Sequence, residues 1–259
     1  MARLWHKFRM HTETPCPICG FPGPFTDLCP GASKRESRCP DCGSPRRSRD
    51  LMRVLLQEYG GHEALSNLNI YELQARGPIH AVLSSLPGYI CSEYLPDVPR
   101  SAESDCGVRS EDATSLSFVD ESFDLVLSQD VMEHIEDAWR AFAEINRVLR
   151  PGGKHIFTVP LHEGRSTRSR AGLEPVRHGD PLNPEGALAY WDFGDDLPQR
   201  LEDIGIKAHL ALHAAFYRPE ELCRTDGPED YARYLDFMAR RDKIRFFLYN
   251  SNVFVAKKS

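Results

Sequence analysis

From residue 66 onward, short apolar runs alternate with amphipathic stretches of helical period. That alternation admits few folds. Strands separated by helices return in parallel to one sheet, and the helices cover its faces. Residues 69–73 read as the first strand, 79–86 as the crossover helix and 89–93 as the second strand. Residues 108–112 give a short third strand, 123–128 a fourth, 134–149 a helix and 154–160 a fifth strand. Arg150-Pro-Gly-Gly153 stops the helix and turns the chain back, as Pro and Gly after a helix do. Residues 206–212 and 252–256 supply two further strands. The expected class is α/β: a seven-stranded, mostly parallel sheet with helices on both faces, and a small N-terminal module beside it.

That module is marked by cysteine. Five of the eight cysteines fall between positions 16 and 42. Four of them form Cys16-Pro-Ile-Cys19-Gly and Cys39-Pro-Asp-Cys42-Gly. A C-x2-C turn places two thiolates at tetrahedral spacing, and the following Gly lets the chain fold under a metal. Two such knuckles complete a closed Zn(Cys)4 shell, which is structural because it keeps no open position. So few residues bury little, and zinc binding of roughly 10–16 kcal/mol supplies the missing free energy. Two coincidental thiol pairs or a redox pair is the competing reading. Cys29 lies between the knuckles, as an alternative ligand or a free core cysteine.

The 259 residues suffice for one α/β core plus this module, and 27% charged with 10% aromatic residues marks a globular chain. No apolar run approaches the ~20 residues that span a bilayer. The first ten residues lack the apolar segment of a secretory signal, so a cytoplasmic protein with reduced thiols is expected. The net charge is −6, unevenly spread. Residues 1–60 carry ten Lys/Arg and six Asp/Glu, the remainder 22 and 32. The module is thus locally basic without a basic face on the whole chain. Ser48 or Asp50 is placed to cap a helix beginning near residue 51, and Arg46, Arg47 and Arg49 offer either an anion contact or a solvated linker.

Residues 111–126, then Val131-Met-Glu-His-Ile135, then Arg147-Val-Leu-Arg-Pro-Gly-Gly153 follow one another in a characteristic order and spacing. This set resembles the cofactor-binding half of class I S-adenosylmethionine (SAM)-dependent methyltransferases of the broad type-11 group. The resemblance implies a Rossmann-like sheet. It implies a SAM crevice at the carboxyl ends of the strands. It divides the chain into a zinc-ribbon-like module at 1–48, a linker helix at 49–64 and a methyltransferase domain at 65–259, with substrate-side insertions at 161–195 and 214–248. Under it, Glu93 holds both ribose hydroxyls through charge-assisted bonds, and neighbouring Tyr94 belongs to the cofactor site. Asp112 accepts from the adenine amino group, the Ala113 N–H meets a ring nitrogen, and Ser128, Gln129 and Asp130 floor the methionine portion. For Glu93 and Asp112 the plain alternative is a surface carboxylate at a strand end.

The first loop departs from the family's acidic-G-x-G-x-G pattern. Glu72-Leu-Gln-Ala-Arg-Gly77-Pro78 keeps one glycine. SAM has no phosphate, so glycine serves only close approach and unusual φ/ψ. Glu72, Gln74, Ala75 and Gly77 still furnish that wall, with Arg76 reaching the methionine carboxylate. After the fifth strand comes a polar insertion containing Arg177-His178-Gly179-Asp180-Pro181, and a helical segment at 228–241 precedes the last strand. His178 is a candidate general base oriented by Asp180, worth roughly 10²–10⁴-fold, with Asp130 and His134 as rivals. Equally, His178-Gly-Asp-Pro reads as a turn with Asp180 capping it. Direct displacement at a sulfonium methyl draws about 7–11 kcal/mol from proximity, so a strong base is not required.

Three functions follow from the sequence. The first is methyl transfer to O or N of a small-molecule or glycan-type acceptor, which the basic module and arginine-rich loop suggest is anionic. The second is RNA methylation with the zinc module gripping rRNA or tRNA, against which the overall acidity counts. The third is a scaffold that kept the fold and lost SAM. The sequence leaves the oligomeric state open.

Overall fold

The computed structural model describes residues 15–22, 38–162, 164–180, 182–211 and 252–259. Helix α1 runs Arg46–Tyr59 and a single turn, α2, covers His62–Leu65. Strand β1 (Ile70–Glu72), helix α3 (Gly77–Leu83) and strand β2 (Tyr89–Cys91) form the first crossover. Strand β3 (Phe123–Gln129) leads through a 3-10 turn at Met132–His134 into α4 (Ala138–Val148) and β4 (Leu149–Thr158). The insertion folds as five short strands: β5 (Leu161–His162), β6 (Arg168–Ser169), β7 (Arg177–His178), β8 (Ala187–Leu188) and β9 (Trp191–Gly194). Helix α5 (Leu197–Asp203), β10 (Lys207–Ala211) and β11 (Val253–Lys257) complete the order.

The main sheet has the order β10-β11-β4-β3-β1-β2. All pairings among β2, β1, β3 and β4 are parallel, while β11 runs antiparallel to both β4 and β10. The fold is therefore the Rossmann-like α/β architecture expected. The strands bury residues on both faces, and period two divides them. Ile70, Leu125, Leu127, Ile156, Val253 and Val255 pack with Leu51, Met52, Leu55, Ile79 and Leu83 of α1 and α3. Tyr71, Val126, Phe157 and Phe254 pack on the other face with Phe142 and Ile145 of α4 and Leu197 and Leu201 of α5. Both layers are apolar, and burying such side chains contributes about 1.5–3 kcal/mol each.

Several expectations shift. The third strand is reduced to one parallel bridge, Glu93 to Ser110, because residues 100–112 are mostly polar and offer no apolar pair for two covered faces. The helix expected at 134–149 starts at Ala138, where Asp137 caps it by accepting from the Arg140 N–H at 3.1 Å. The segment read as a linker at 49–64 begins earlier, at Arg46, with Pro45 as N-cap, so neither Ser48 nor Asp50 caps it. Leu51, Met52 and Leu55 are fully buried, which makes α1 a layer of the domain. Lys154 binds Glu58 at 2.9 Å and the Tyr59 hydroxyl donates to the Asp124 carbonyl, fixing the end of α1 to the sheet. The 228–241 segment, the 214–248 insertion and Cys29 lie outside the described residues.

Candidate active site

The strand order reverses between β1 and β3, and a crevice opens beyond their carboxyl ends, where an open α/β sheet binds its ligands. A cavity of about 830 Å³ occupies it. One end is lined by Glu72, Gln74, Gly77 and Glu93, the floor by Gln129, Asp130 and Thr158, and the mouth by His178, Gly179 and Asp180. Arg38, Pro45, Arg47 and Ser48 close another side.

Glu72 ends β1 fully inside the sheet. Burial pushes its carboxyl up to about 8, opposed by the Tyr89 hydroxyl, which donates to Oε2 at 2.6 Å. Past β2, Glu93 reaches back over the first loop. Its Oε1 accepts from the Ala75 N–H at 3.0 Å and from Arg76 Nε at 3.1 Å. Arg76 is thereby engaged by Glu93. Gly77 sits at φ +94, and a Cβ there would meet open space, so the loop's one glycine supplies a backbone shape no other residue adopts cheaply. Tyr94 is 66% exposed, and neither it nor Asp112 nor Ala113 lines the cavity. Asp112 instead accepts from the Thr114 N–H and hydroxyl through Oδ1.

The strand β3 runs one residue further than the sequence suggests. Ser128 is therefore still inside the sheet, on the α4 face, where its hydroxyl meets His155 Nε2 at 2.9 Å. It does not line the cavity. Gln129 points the other way and accepts from Ser48 of α1 at 2.7 Å. Asp130 follows at φ +52, a strained conformation for a non-glycine residue. Its Oδ1 accepts from the Thr158 hydroxyl at 2.7 Å and its Oδ2 lies 3.0 Å from Arg47 Nε.

The turn at Met132–His134 and the β7–β8 hairpin meet over the cavity. The Tyr190 N–H donates to the Glu133 carbonyl and Trp191 Nε1 to the Glu136 carbonyl. His134 lines the cavity, with Nδ1 2.9 Å from the Leu188 carbonyl. Its Nε2 lies 3.3 Å from His178 Nδ1. Burial and the neighbouring His134 hold His178 below the usual histidine range. Beneath both rings, Glu133 is 1% exposed and neither carboxylate oxygen has a hydrogen-bond partner among the described residues. Glu133 is not singled out by the sequence, in which His134 reads as a rival base or a helix start; the available signal is the adjacency of Glu133 and His134. Asp180 does not orient His178; its Oδ1 accepts from the Leu182 N–H and holds the turn.

The four cysteines come together. Cys16 Sγ lies 3.9 Å from Cys42 Sγ, and Cys19 Sγ 3.6 Å from Cys39 Sγ. The two knuckles repeat one loop: Gly20 donates to the Cys16 carbonyl and Gly43 to the Cys39 carbonyl, each glycine at positive φ. The loop is tied to α1, since Arg49 donates to the Ser44 carbonyl at 2.6 Å.

Residues 90–157 match a family described as a methyltransferase domain. An uncharacterized methyltransferase of Mycolicibacterium vanbaalenii is 35% identical over 135 residues, covering 40% of this chain and 52% of that protein. Dimethylglycine N-methyltransferase of Parasynechococcus marenigrum is 35% identical over 84 residues, 32% of this chain and 30% of its own. The uncharacterized protein YafE of Escherichia coli is 33% identical, and the chain spans 44% of its length. The solved 1,6-didemethyltoxoflavin-N1-methyltransferase of Burkholderia thailandensis, with 1,6-didemethyltoxoflavin and S-adenosylhomocysteine bound, aligns over 83% of this chain and 79% of its own. Its identity is 16% and the TM-score 0.46.

Proposed function

We propose, from a chain whose residues 90–157 belong to the methyltransferase-domain family, that this protein is a SAM-dependent methyltransferase acting on a small, anionic acceptor. The observation that carries the reading is the cavity at the switch point, with Glu72, Gly77 and Glu93 at one end and His178 at the other. SAM, when bound, supplies an electrophilic sulfonium methyl. The residues present fit it. Glu93 offers a carboxylate at the cavity wall for paired hydroxyls. Glu72, poised at about 8, gives up its proton to face an ammonium group. Gly77 leaves room for close approach, and Gln129 and Asp130 form the floor, while Asp112 and Ala113, assigned to the adenine edge by the resemblance, stand outside the cavity lining. His178, Asp130 and Asp180 shape the acceptor end.

A small acceptor is supported by the cavity of about 830 Å³ and by the name of the dimethylglycine N-methyltransferase relative. Arg38 on its wall supports negative charge, Arg47 being held by Asp130. Cys16, Cys19, Cys39 and Cys42 hold Zn2+ in this reading: with Zn–S bonds of 2.3 Å a tetrahedron has edges of about 3.8 Å, between the 3.6 and 3.9 Å found. The zinc knuckle is structural, and it steadies the residues that close one side of the cavity.

Calorimetry with S-adenosylhomocysteine tests the function. Wild type binds, and Glu93→Ala weakens binding about 10–100-fold, the loss expected for hydrogen bonds to a charged group. Absence of binding by wild type at millimolar ligand would sink the enzyme reading.

A further inference from the structure

Glu133, His134 and His178 form a cluster that methyl transfer by proximity does not require. Their ligand atoms all lie within 4.8 Å of one another. The separations are 3.3 Å between His134 Nε2 and His178 Nδ1, 3.6 Å from Glu133 Oε1 to His134 Nε2, and 3.8 Å from Glu133 Oε1 to His178 Nδ1. A point equidistant from the three atoms is about 2.1 Å from each, the length of zinc–nitrogen and zinc–oxygen bonds.

Four further observations support an ion at that point. The Leu188 carbonyl only accepts, so His134 carries its proton on Nδ1 and turns the Nε2 lone pair toward the cluster. A backbone carbonyl fixing the far nitrogen of a histidine is the usual outer support of a metal ligand. Glu133 is 1% exposed with both oxygens unpartnered among the described residues, a costly state that a cation relieves. Arg47, which acts on Glu133 electrostatically, is itself held by Asp130. Two imidazoles and one carboxylate leave coordination positions open, and His134 and His178 both line the cavity.

We propose that Glu133, His134 and His178 bind a divalent first-row transition-metal ion whose open positions face the cavity, where they ligate an oxygen atom of the acceptor. The acceptor clause rests on the methyltransferase reading above; the metal site does not.

The experiment uses the full chain with its cysteine site loaded with zinc and titrates Co2+ by calorimetry and visible absorption. The expected result is one equivalent of Co2+ with ligand-field bands and no thiolate charge-transfer band. His178→Gln and the nearly isosteric Glu133→Gln each weaken it about tenfold or more, with circular dichroism confirming that both variants are folded. Acetohydroxamate, an oxygen chelator, then shifts the bands. No Co2+ binding by wild type at millimolar metal, or binding untouched in both folded variants, overturns the site. Bands that acetohydroxamate leaves unmoved overturn the acceptor role. Co2+ binding is read without SAM or its product, so a failure to bind S-adenosylhomocysteine strikes the earlier reading and leaves this one standing.

Discussion

Held between a tyrosine hydroxyl and the sheet, Glu72 is a carboxyl kept largely protonated near neutrality. An acid whose folded pKa is raised binds its proton more tightly in the folded state. Its ionisation therefore costs nothing below pH 4.5, grows as pH rises through that window, and is complete above about 8. Glu72→Gln should lie within about 1 kcal/mol of wild type in urea unfolding at pH 5 and exceed it at pH 9 by about 3–5 kcal/mol. An equal difference at both pH values would contradict the assignment. Which residues reach the cavity is legible where apolar runs stop: Glu72, Gln74, Gly77, Glu93, Gln129, Asp130, His178 and Asp180 all line it. Ser128 is not legible that way, because one extra strand residue turns a side chain to the opposite face. The partnership of His134 and His178 is not legible either. It spans 44 residues and depends on how the hairpin docks.

At the scale of elements, α1 and the cysteine loop act together. Arg49 ties the loop to the helix, and Ser48 and Arg47 of the helix touch Gln129 and Asp130 on the floor. If the four cysteines hold zinc as proposed, Cys39→Ser should release it and also weaken S-adenosylhomocysteine binding several-fold, read by metal analysis and calorimetry on one sample. Metal loss with unchanged affinity would separate the loop from the site. The periodicity of the central strands and the cysteine spacing are plain in the sequence because each is a local pattern. The third strand is not, since a polar segment is held by one bridge. The start of α4 is set by the Asp137 cap, which competes with the helical pattern running upstream of it.

For the whole molecule, two buried groups give opposite slopes in acid and base. Burial drives His155 down to about 3, so its neutral form supports folding above pH 6.5 and that support is lost as pH falls toward 3. Glu72 adds the basic limb described above. From these two groups, stability should be level between pH 4.5 and 6.5 and fall on either side. A melting series across pH 3–9 checks this, and in Glu72→Gln the basic limb should shrink while the acidic limb remains. An unchanged basic limb would show that Glu72 is not its source. The sheet order itself, with β11 inserted between β4 and β10, is a long-range fact that no local period encodes.

Arg47 reaches across from α1 to Asp130, the strained residue at the end of the central strand. In chimaeras between relatives, a junction placed after α1 would split that pair between two parents and hand the cavity a wall shaped for another floor. A junction placed before Arg38 would keep helix, arginine and floor together, so substrate preference should travel with everything downstream of it.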